Sequence, residues 1–180
     1  MKKLPENFEL DRYGLHCRLV REDDAEFIVA IRTDEKLARF IHPTDADVQQ
    51  QMEWIREYKQ REAEGTDYYY MFLKDGVRQG VARIYNIHDE DFTSGSWVFA
   101  PDAVKGSAIL GDIISRELAF EQHPQAINFF DVRKDNITVQ RYAHSYHPTI
   151  LVEDEQNVFY SVTRDNFEKY KHLYIRLANR

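Results

Sequence analysis

The segment from residue 95 to residue 132 constrains the fold more than any other part of the sequence. Residues 95–99 have the composition of a short strand, the Lys-Gly-Ser-Ala turn at 105–108 leads into an apolar helical pattern, and residues 126–132 are almost continuously apolar. A continuous apolar run is typical of a strand buried on both faces. A helix that joins two strands places them parallel in one sheet. The segment therefore predicts a strand–helix–strand unit.

The rest of the chain predicts an α+β fold, because strand-like and helix-like apolar patterns alternate with turn residues. The predicted strands cover residues 16–21, 68–73, 77–87, 95–99, 126–132, 150–152 and 158–163. The predicted helices cover residues 25–31, 44–65, 109–123, 136–146 and 165–180, and residues 1–14 are interpreted as a polar N-terminal arm. We expect a single domain over residues 1–180, with a central mixed, mostly antiparallel twisted sheet flanked by helices.

Charge and cysteine content exclude several classes of protein. The net charge is −7, and no stripe of Lys and Arg interleaves with aromatic residues, so we expect no nucleic-acid partner. No window approaches the roughly 18 consecutive apolar residues of a membrane span, and the lone Cys17 cannot form an internal disulfide. The His residues lack the spacing of a metal site. These features predict a soluble, cytoplasmic protein that binds neither a membrane nor a metal.

The turn at residues 105–108 is the candidate binding feature. Exposed N–H groups at a helix start attract phosphates, and Gly106 lets a ligand approach the backbone closely. The alternative is that Gly106 only turns the chain into a helix that crosses between two strands. The turn by itself leaves both interpretations open.

Several short motifs occur in an order that resembles the GNAT superfamily, within its branch of ribosomal-protein and amino-sugar N-acetyltransferases. The resemblance runs from about His16 to Thr163. Its motifs are Trp54-Ile55, Gly80-Val81, Gly95-Ser96-Trp97-Val98 ahead of Pro101, Lys105-Gly106-Ser107-Ala108, residues 117–120, and Asp131 to Asn136. The resemblance implies the GNAT fold and acetyl-CoA as the cosubstrate.

The resemblance also implies which residues hold the cosubstrate. In the family, the strand that corresponds to residues 97–99 splays from its neighbour and offers backbone groups to the pantetheine arm, and the next loop cradles the pyrophosphate. The implied cofactor-binding residues are Trp97, Val98, Phe99, Lys105, Gly106, Ser107, Ala108 and Asn136. The loop here lacks the leading Gln or Arg of the family, and Asn136 is equally suited to cap a helix.

The catalytic acid departs from the family pattern. Many members have a Tyr seven residues beyond the Asn, where this chain has Ala143, so the neighbours Tyr142 and His144 become the candidates. The acceptor in the family binds between the loop joining the first two helices and the strands across from the cofactor. Candidates at those places are Arg39, His42 and Tyr85.

These residues predict direct acetyl transfer to a primary amine. We expect a small-molecule acceptor, with a nucleotide-linked amino sugar as the preferred class, because Gly95-Ser96-Trp97 resembles the sugar-amine members. Two alternatives remain open, namely acetylation of protein N-termini and a module that keeps the fold but has lost the chemistry. Exposed aromatic residues and a sheet edge near the closing strands also predict a homodimer.

Overall fold

A computed structural model describes residues 3–41 and 43–178 of the chain. Within these ranges one sheet contains eight strands in the order β1-β2-β3-β4-β5-β6-β8-β7. The strands are β1 (Glu9–Arg12), β2 (Leu15–Leu19), β3 (Asp67–Lys74), β4 (Val77–Tyr85), β5 (Asp91–Phe99), β6 (Ile127–Arg133), β7 (Thr149–Glu153) and β8 (Asn157–Thr163). The helices are α1 (Ala25–Arg32), α2 (Glu35–Ala38), α3 (Val48–Glu64), α4 (Ser107–Gln122), α5 (Ile137–His144) and α6 (Arg164–Ala178).

The sheet is antiparallel except between β5 and β6, as far as the described residues show. These two strands are parallel because α4 connects them across the sheet, which confirms the predicted strand–helix–strand unit. They pair only where Asp91–Thr93 faces Ile127–Phe129. Beyond Thr93 and Phe129 the strands separate, and a cleft opens between them.

Helices cover both faces of the sheet because consecutive residues of the central strands point to opposite sides. Tyr70 and Phe72 pack in the core beneath α4 and α6. Tyr69 and Met71 pack in the second core beneath α1 and α3. The alternation explains why β3 is buried along most of its length and reads as a continuous apolar run.

Two sequence-based predictions about strands were wrong. Residues 1–14 are not only an arm, because Glu9–Arg12 forms β1, which pairs with β2 across a turn at Tyr13 and Gly14. This edge strand alternates between exposed and half-buried positions, so it lacks the apolar pattern of a central strand. Strand β6 is also not buried on both faces: Asp131 is exposed and its face borders the cleft.

The ends of the helices follow local capping chemistry. Asp47 caps α3 by accepting a hydrogen bond from the Gln50 backbone. The cap therefore lies two or three residues later than the predicted cap at Asp45 or Thr44. Gly65 ends α3 with φ at 80°, as predicted. No helix in residues 3–41 and 43–178 is long and apolar enough to cross a membrane.

Candidate active site

The cleft between β5 and β6 is the candidate active site. It has a volume of about 360 Å³ and is bordered by β5, β6, α4, α5, and α2 with the residues that follow it. Its polar lining residues are Arg32, Tyr85, Ser94, Ser96, Asp112, Arg116, Asp131, Arg133, Asn136, Tyr142 and Asn157. The remaining walls are mostly apolar and aromatic, as is usual for a small-molecule site.

Strand β5 carries a bulge beside the cleft. Val81 pairs with Val98 and Arg83 with Gly95, so two residues, Ser96 and Trp97, lie opposite Ala82 alone. Ser96 has φ at 45°, in the left-handed region. A bulge leaves its extra residue outside the ladder. Beyond Thr93 the strand is not paired with β6, and residues 94–99 line the cleft that opens there.

The start of α4 forms one end of the cleft. Gly106 caps the helix with φ at 88°, and Ala108 lines the cleft. The indole Nε1 of Trp97 donates a hydrogen bond to the Ala108 carbonyl at 2.8 Å, which ties β5 to the first turn. First-turn N–H groups have no partner within their own helix and carry partial positive charge. The helix start is therefore suited to an anionic group.

Gly106 also has a packing role. A Cβ atom at this position would lie 2.8 Å from the carbonyl oxygen of Ala178, at the end of α6. Together with the positive φ, this contact explains a glycine without reference to a ligand. The two interpretations made from the sequence are compatible, because the turn is held by α6 while the first turn of α4 still borders the cleft.

Five of the eight predicted cofactor-binding residues line the cleft. They are Trp97, Val98, Phe99, Ala108 and Asn136. Asn136 also caps α5 by accepting a hydrogen bond from the Val139 backbone at 3.3 Å, which confirms the capping interpretation. The structure places Lys105, Gly106 and Ser107 in the adjoining turn, outside the lining. Their binding roles stay predictions.

The two candidate acids lie on opposite faces of α5. Tyr142 is buried and lines the cleft. His144 is exposed, is not among the lining residues, and places its Nε2 3.2 Å from the Tyr160 hydroxyl. Residues two apart on a helix differ by about 200° in direction, so both cannot face one cleft. The structure therefore does not place His144 at the cleft, and its role as the acid stays a prediction.

A buried network surrounds Tyr142. Its hydroxyl donates to Asp112 Oδ2 at 2.7 Å and lies 3.0 Å from the Tyr146 hydroxyl. Asp112 Oδ1 accepts a hydrogen bond from Arg116 Nε at 3.0 Å. Burial raises the pKa of Tyr142 well above its ordinary value, and the Asp112 carboxylate raises it further. Tyr142 is thus held in its protonated form.

The predicted acceptor residues are only partly brought together. Tyr85 lines the cleft, and burial followed by the nearby Asp131 charge raises its pKa. Arg39 is exposed, stacks on the Phe40 ring at 4.3 Å and is not among the lining residues. The third candidate, His42, lies outside the described residues. Phe40 itself lines the cleft, so the loop after α2 does border the site.

Sequence reasoning missed the charged residues of the cleft. Asp112 and Arg116 carry opposite charges four residues apart within a helix that is otherwise mostly apolar, a signal that was present in the sequence. Asp131 and Arg133 are two residues apart at the end of an apolar strand and therefore share a face. Arg32 ends α1 and offered no such signal. All five side chains line the cleft.

The geometry suits a long ligand with an anionic end. The start of α4 is suited to a phosphate, the unpaired edge of β5 beyond Thr93 is suited to hydrogen bonds with an extended chain, and the fork between the strands leaves space for its other end. This matches the chemistry of coenzyme A, whose diphosphate and pantetheine arm need these features. The described residues contain no cluster of His, Cys, Asp or Glu that could hold a metal ion.

Comparisons with known proteins establish the family. The model of the acetyltransferase (GNAT) domain family matches residues 15–147, and the chain belongs to this family. A solved structure described as apo FdhC, a nucleotide-linked sugar GNAT, is 31% identical, with a TM-score of 0.83 over 96% of this chain and 99% of that one. The predicted superfamily and α+β fold are thereby confirmed. No curated protein matched the sequence.

More distant structures share the fold. A ribosomal-protein-S5-alanine acetyltransferase from Vibrio fischeri is 11% identical, with a TM-score of 0.73 over 89% of this chain and 99% of that one. RimJ from Mycobacterium smegmatis, solved in complex with CoA-disulfide, is 16% identical, with a TM-score of 0.73 over 93% and 91% of the two chains. At these identities the likeness concerns architecture only.

Proposed function

We propose that this protein transfers an acetyl group from acetyl-CoA to a primary amine of a small molecule, and that the acceptor is a nucleotide-linked amino sugar. The observation that carries the reaction is the cleft itself, which begins at the start of α4 and ends where β5 and β6 separate. The likeness to FdhC, described as a nucleotide-linked sugar GNAT, supports the acceptor class.

Residues of β5 and α4 hold the cosubstrate in this proposal. The first turn of α4, next to Ala108, receives the diphosphate, with Lys105, Gly106 and Ser107 forming the turn around it. Trp97 supports this turn through its hydrogen bond to Ala108. Val98 and Phe99 offer backbone groups and apolar surface to the arm, and Asn136 faces them from the start of α5.

The reaction makes a C–N bond and breaks a C–S bond, while the nitrogen loses one proton and the departing sulfur gains one. Tyr142 supplies the proton to sulfur in this proposal, because it is the candidate acid that lines the cleft and carries a hydroxyl proton. Its hydroxyl points to Asp112 in this structure, so it turns from that carboxylate to act. No covalent intermediate with the protein is needed.

Charged residues on the open side of the cleft bind the acceptor. Asp131 provides a carboxylate for the amine, and Tyr85 lies near enough for that charge to raise its pKa. Arg32 and Arg133 supply positive charge for the phosphates of a nucleotide-linked sugar. An acceptor with an amine at one end and a diphosphate at the other satisfies both kinds of group.

A panel of amines tests the acceptor. Purified protein is mixed with acetyl-CoA and with nucleotide-linked amino sugars, free amino sugars or peptides, and the release of free CoA thiol is measured. We expect the nucleotide-linked sugars to give the highest kcat/KM. Activity on peptides alone identifies a protein N-terminal acetyltransferase, and CoA binding without turnover on any amine identifies a non-catalytic module.

The variant Asp131→Asn sharpens this assay. Loss of the carboxylate is expected to raise KM for the amine about tenfold or more while leaving the affinity for CoA unchanged, since one charge-assisted hydrogen bond is lost. The exposed Asp89, which does not line the cleft, provides the control Asp89→Asn. Equal effects of the two substitutions contradict the assignment of Asp131.

We also propose a homodimer formed through β7. This strand ends the sheet, all five of its residues are exposed, and Ile150, Leu151 and Val152 are apolar. Antiparallel pairing with the same strand of a second copy across a two-fold axis satisfies its backbone groups and covers these side chains. Light scattering tests this proposal by giving the mass of the particle in solution. We expect a dimer for the native protein and a monomer for Leu151→Lys. The control Val77→Lys changes an exposed valine on β4 instead of β7 and should remain a dimer. A monomeric native protein rejects it.

A cytoplasmic location is proposed on the basis of Cys17, whose lone thiol is free and buried. A reducing compartment suits such a thiol. Fractionation of cells that express the protein is the check, and recovery in the culture medium or the membrane fraction contradicts the proposal.

A further inference from the structure

The inner end of the cleft contains a buried guanidinium group. Arg116 lines the cleft from α4, although its side chain is only 5% exposed. Its Nε donates to Asp112. Its guanidinium carbon lies 4.8 Å from the centre of the Phe130 ring and 5.6 Å from that of Tyr146. These contacts hold the group in one place.

One nitrogen of this group has no partner in the protein. Nη1 of Arg116 is shielded from water and makes no hydrogen bond within the part of the chain that the structure describes. Buried donors are almost always paired with protein, water or a ligand, so an unpaired one in the wall of a cleft needs an explanation. A guanidinium cannot lose its proton, and it has no acceptor atom. Its missing partner is therefore a hydrogen-bond acceptor.

The position of Arg116 identifies the part of the cleft that it serves. Thr93 and Phe129 are the last paired residues of β5 and β6. Ser94 and Phe130 follow them and line the cleft. Since Arg116 contacts the Phe130 ring, its guanidinium lies where the two strands begin to separate, at the closed end of the fork.

Helix α4 connects this point with the phosphate-binding end. Ala108, Asp112 and Arg116 recur every four residues, and all three line the cleft. A rise of 1.5 Å per residue places Arg116 about 12 Å along the helix from Ala108. An extended chain anchored by its anionic end at the helix start thus has its other end near Arg116.

We propose that Arg116 donates a hydrogen bond from Nη1 to the carbonyl oxygen of the thioester acyl group, and so distinguishes the acylated cosubstrate from forms that lack this oxygen. The inference rests on the proposed function, because it assumes that coenzyme A lies along α4. Arg116 is a specificity-determining residue in this account. Asp112 and Tyr142 position it, since Asp112 joins the two side chains.

A pair of cosubstrate analogues tests the inference by binding alone. Acetyl-CoA and S-ethyl-CoA differ by the carbonyl oxygen, and calorimetry in the absence of any amine gives the Kd of each. A hydrogen bond to a charged donor predicts that the native protein binds acetyl-CoA about tenfold or more tightly than S-ethyl-CoA. Equal affinities for the two compounds overturn the inference.

Variants assign the preference to Arg116. Because Arg116→Met alone leaves the Asp112 carboxylate buried without its cation, the double variant Asp112→Asn/Arg116→Met is used, which removes both charges. In this variant the Kd values of the two compounds are expected to become about equal. The Kd of S-ethyl-CoA itself should stay at its value for the native protein. A preference unchanged from that of the native protein overturns the inference.

A second arginine provides the control. Arg133 also lines the cleft, and its buried Nε makes no hydrogen bond within the described residues, although it lies 4.0 Å from Asp135 Oδ1. Arg133→Met is expected to leave the preference for acetyl-CoA intact, and loss of the preference in this variant alone overturns the assignment to Arg116. If neither compound binds the native protein at about millimolar concentration, the proposed function fails and the inference fails with it.

Discussion

Two buried charge clusters in this protein differ in how completely their hydrogen bonds are satisfied. Asp24, at the start of α1, accepts bonds from both terminal nitrogens of Arg18, from Arg78 Nε and from the Arg21 backbone. Asp112, in the cleft, accepts from Tyr142 and Arg116, but Arg116 Nη1 is left without a partner among the described residues.

The difference separates a structural role from a binding role. The carboxylate of Asp24 is surrounded by donors and does not line the cleft, so it joins α1 to β2 and β4. The cluster of Asp112 lines a cleft and still has a donor to offer. Buried charges are expensive unless paired, and an incompletely paired one is most readily explained where a ligand completes it.

The largest expected effect is the loss of stability in Asp24→Asn. Breaking a fully buried ion pair leaves Arg18 without its counter-charge, so we expect the free energy of unfolding to fall by about 3–5 kcal/mol. Urea denaturation measures this, with the exposed Asp23→Asn as the control. The affinity for CoA should be unaffected by either change. If the free energy of unfolding falls by less than about 1 kcal/mol, the structural role assigned to Asp24 is contradicted.

Acid sensitivity follows from the same cluster. Burial by itself raises the pKa of Asp24, but the bonds from Arg18, the Arg21 backbone and Arg78 outweigh it and lower the pKa below its ordinary value. A lowered folded-state pKa contributes stability that is present above the unfolded value, about 3.9, and is lost as pH falls towards the folded value. Below about pH 5, the free energy of unfolding should therefore fall more steeply with decreasing pH for the native protein than for Asp24→Asn. Parallel curves contradict this.

A smaller effect is expected from Tyr142→Phe in the cleft cluster. The substitution leaves Asp112 without one donor, so stability should fall by about 1–3 kcal/mol. In contrast to Asp24→Asn, turnover should fall at least tenfold with little change in CoA affinity, because Tyr142 is the proposed acid. Steady-state kinetics and calorimetry separate the two quantities. Unchanged kcat shows that another group protonates the sulfur.

The smallest effect concerns the cap of α5. Asn136→Ala removes the hydrogen bond to the Val139 backbone and should lower stability by about 1 kcal/mol. Asn136→Asp keeps a capping oxygen and serves as the control for stability. If Asn136 also binds the cosubstrate, the Ala variant weakens CoA binding as well. A loss of stability without any loss of affinity leaves Asn136 as a cap only.

Local patterns in the sequence predicted most of the fold. The strand–helix–strand unit, the hairpin of β3 and β4, and the end of α3 at Gly65 depend on turn residues and apolar periodicity, which act over a few residues. Strand β1 was missed because a half-exposed edge strand has no apolar pattern. The exposed face of β6 was missed because a cleft beside a strand depends on where its neighbour diverges, and no local pattern encodes that.

The site was predictable only in part for a similar reason. Trp97, Ala108 and Asn136, which the family resemblance implied from motifs that are local in sequence, all line the cleft. The network of Asp112, Arg116 and Tyr142 joins two helices, and its members are recognisable only when the fold has brought them together. The sequence alone left open whether Tyr142 or His144 faces the cleft. The register of α5 turns Tyr142 towards it.

Calorimetric titration of CoA tests the central claim most directly, with two substitutions at Ala108 as the comparison. The native protein is expected to bind with a Kd between about 1 µM and 1 mM. Ala108→Asp places a negative charge in the first turn of α4, where it suits the helix but repels a diphosphate, so affinity should fall about tenfold or more. Ala108→Asn has nearly the same shape without the charge and should bind within about threefold of the native protein. No binding at millimolar CoA, or equal binding by the two variants, contradicts the account.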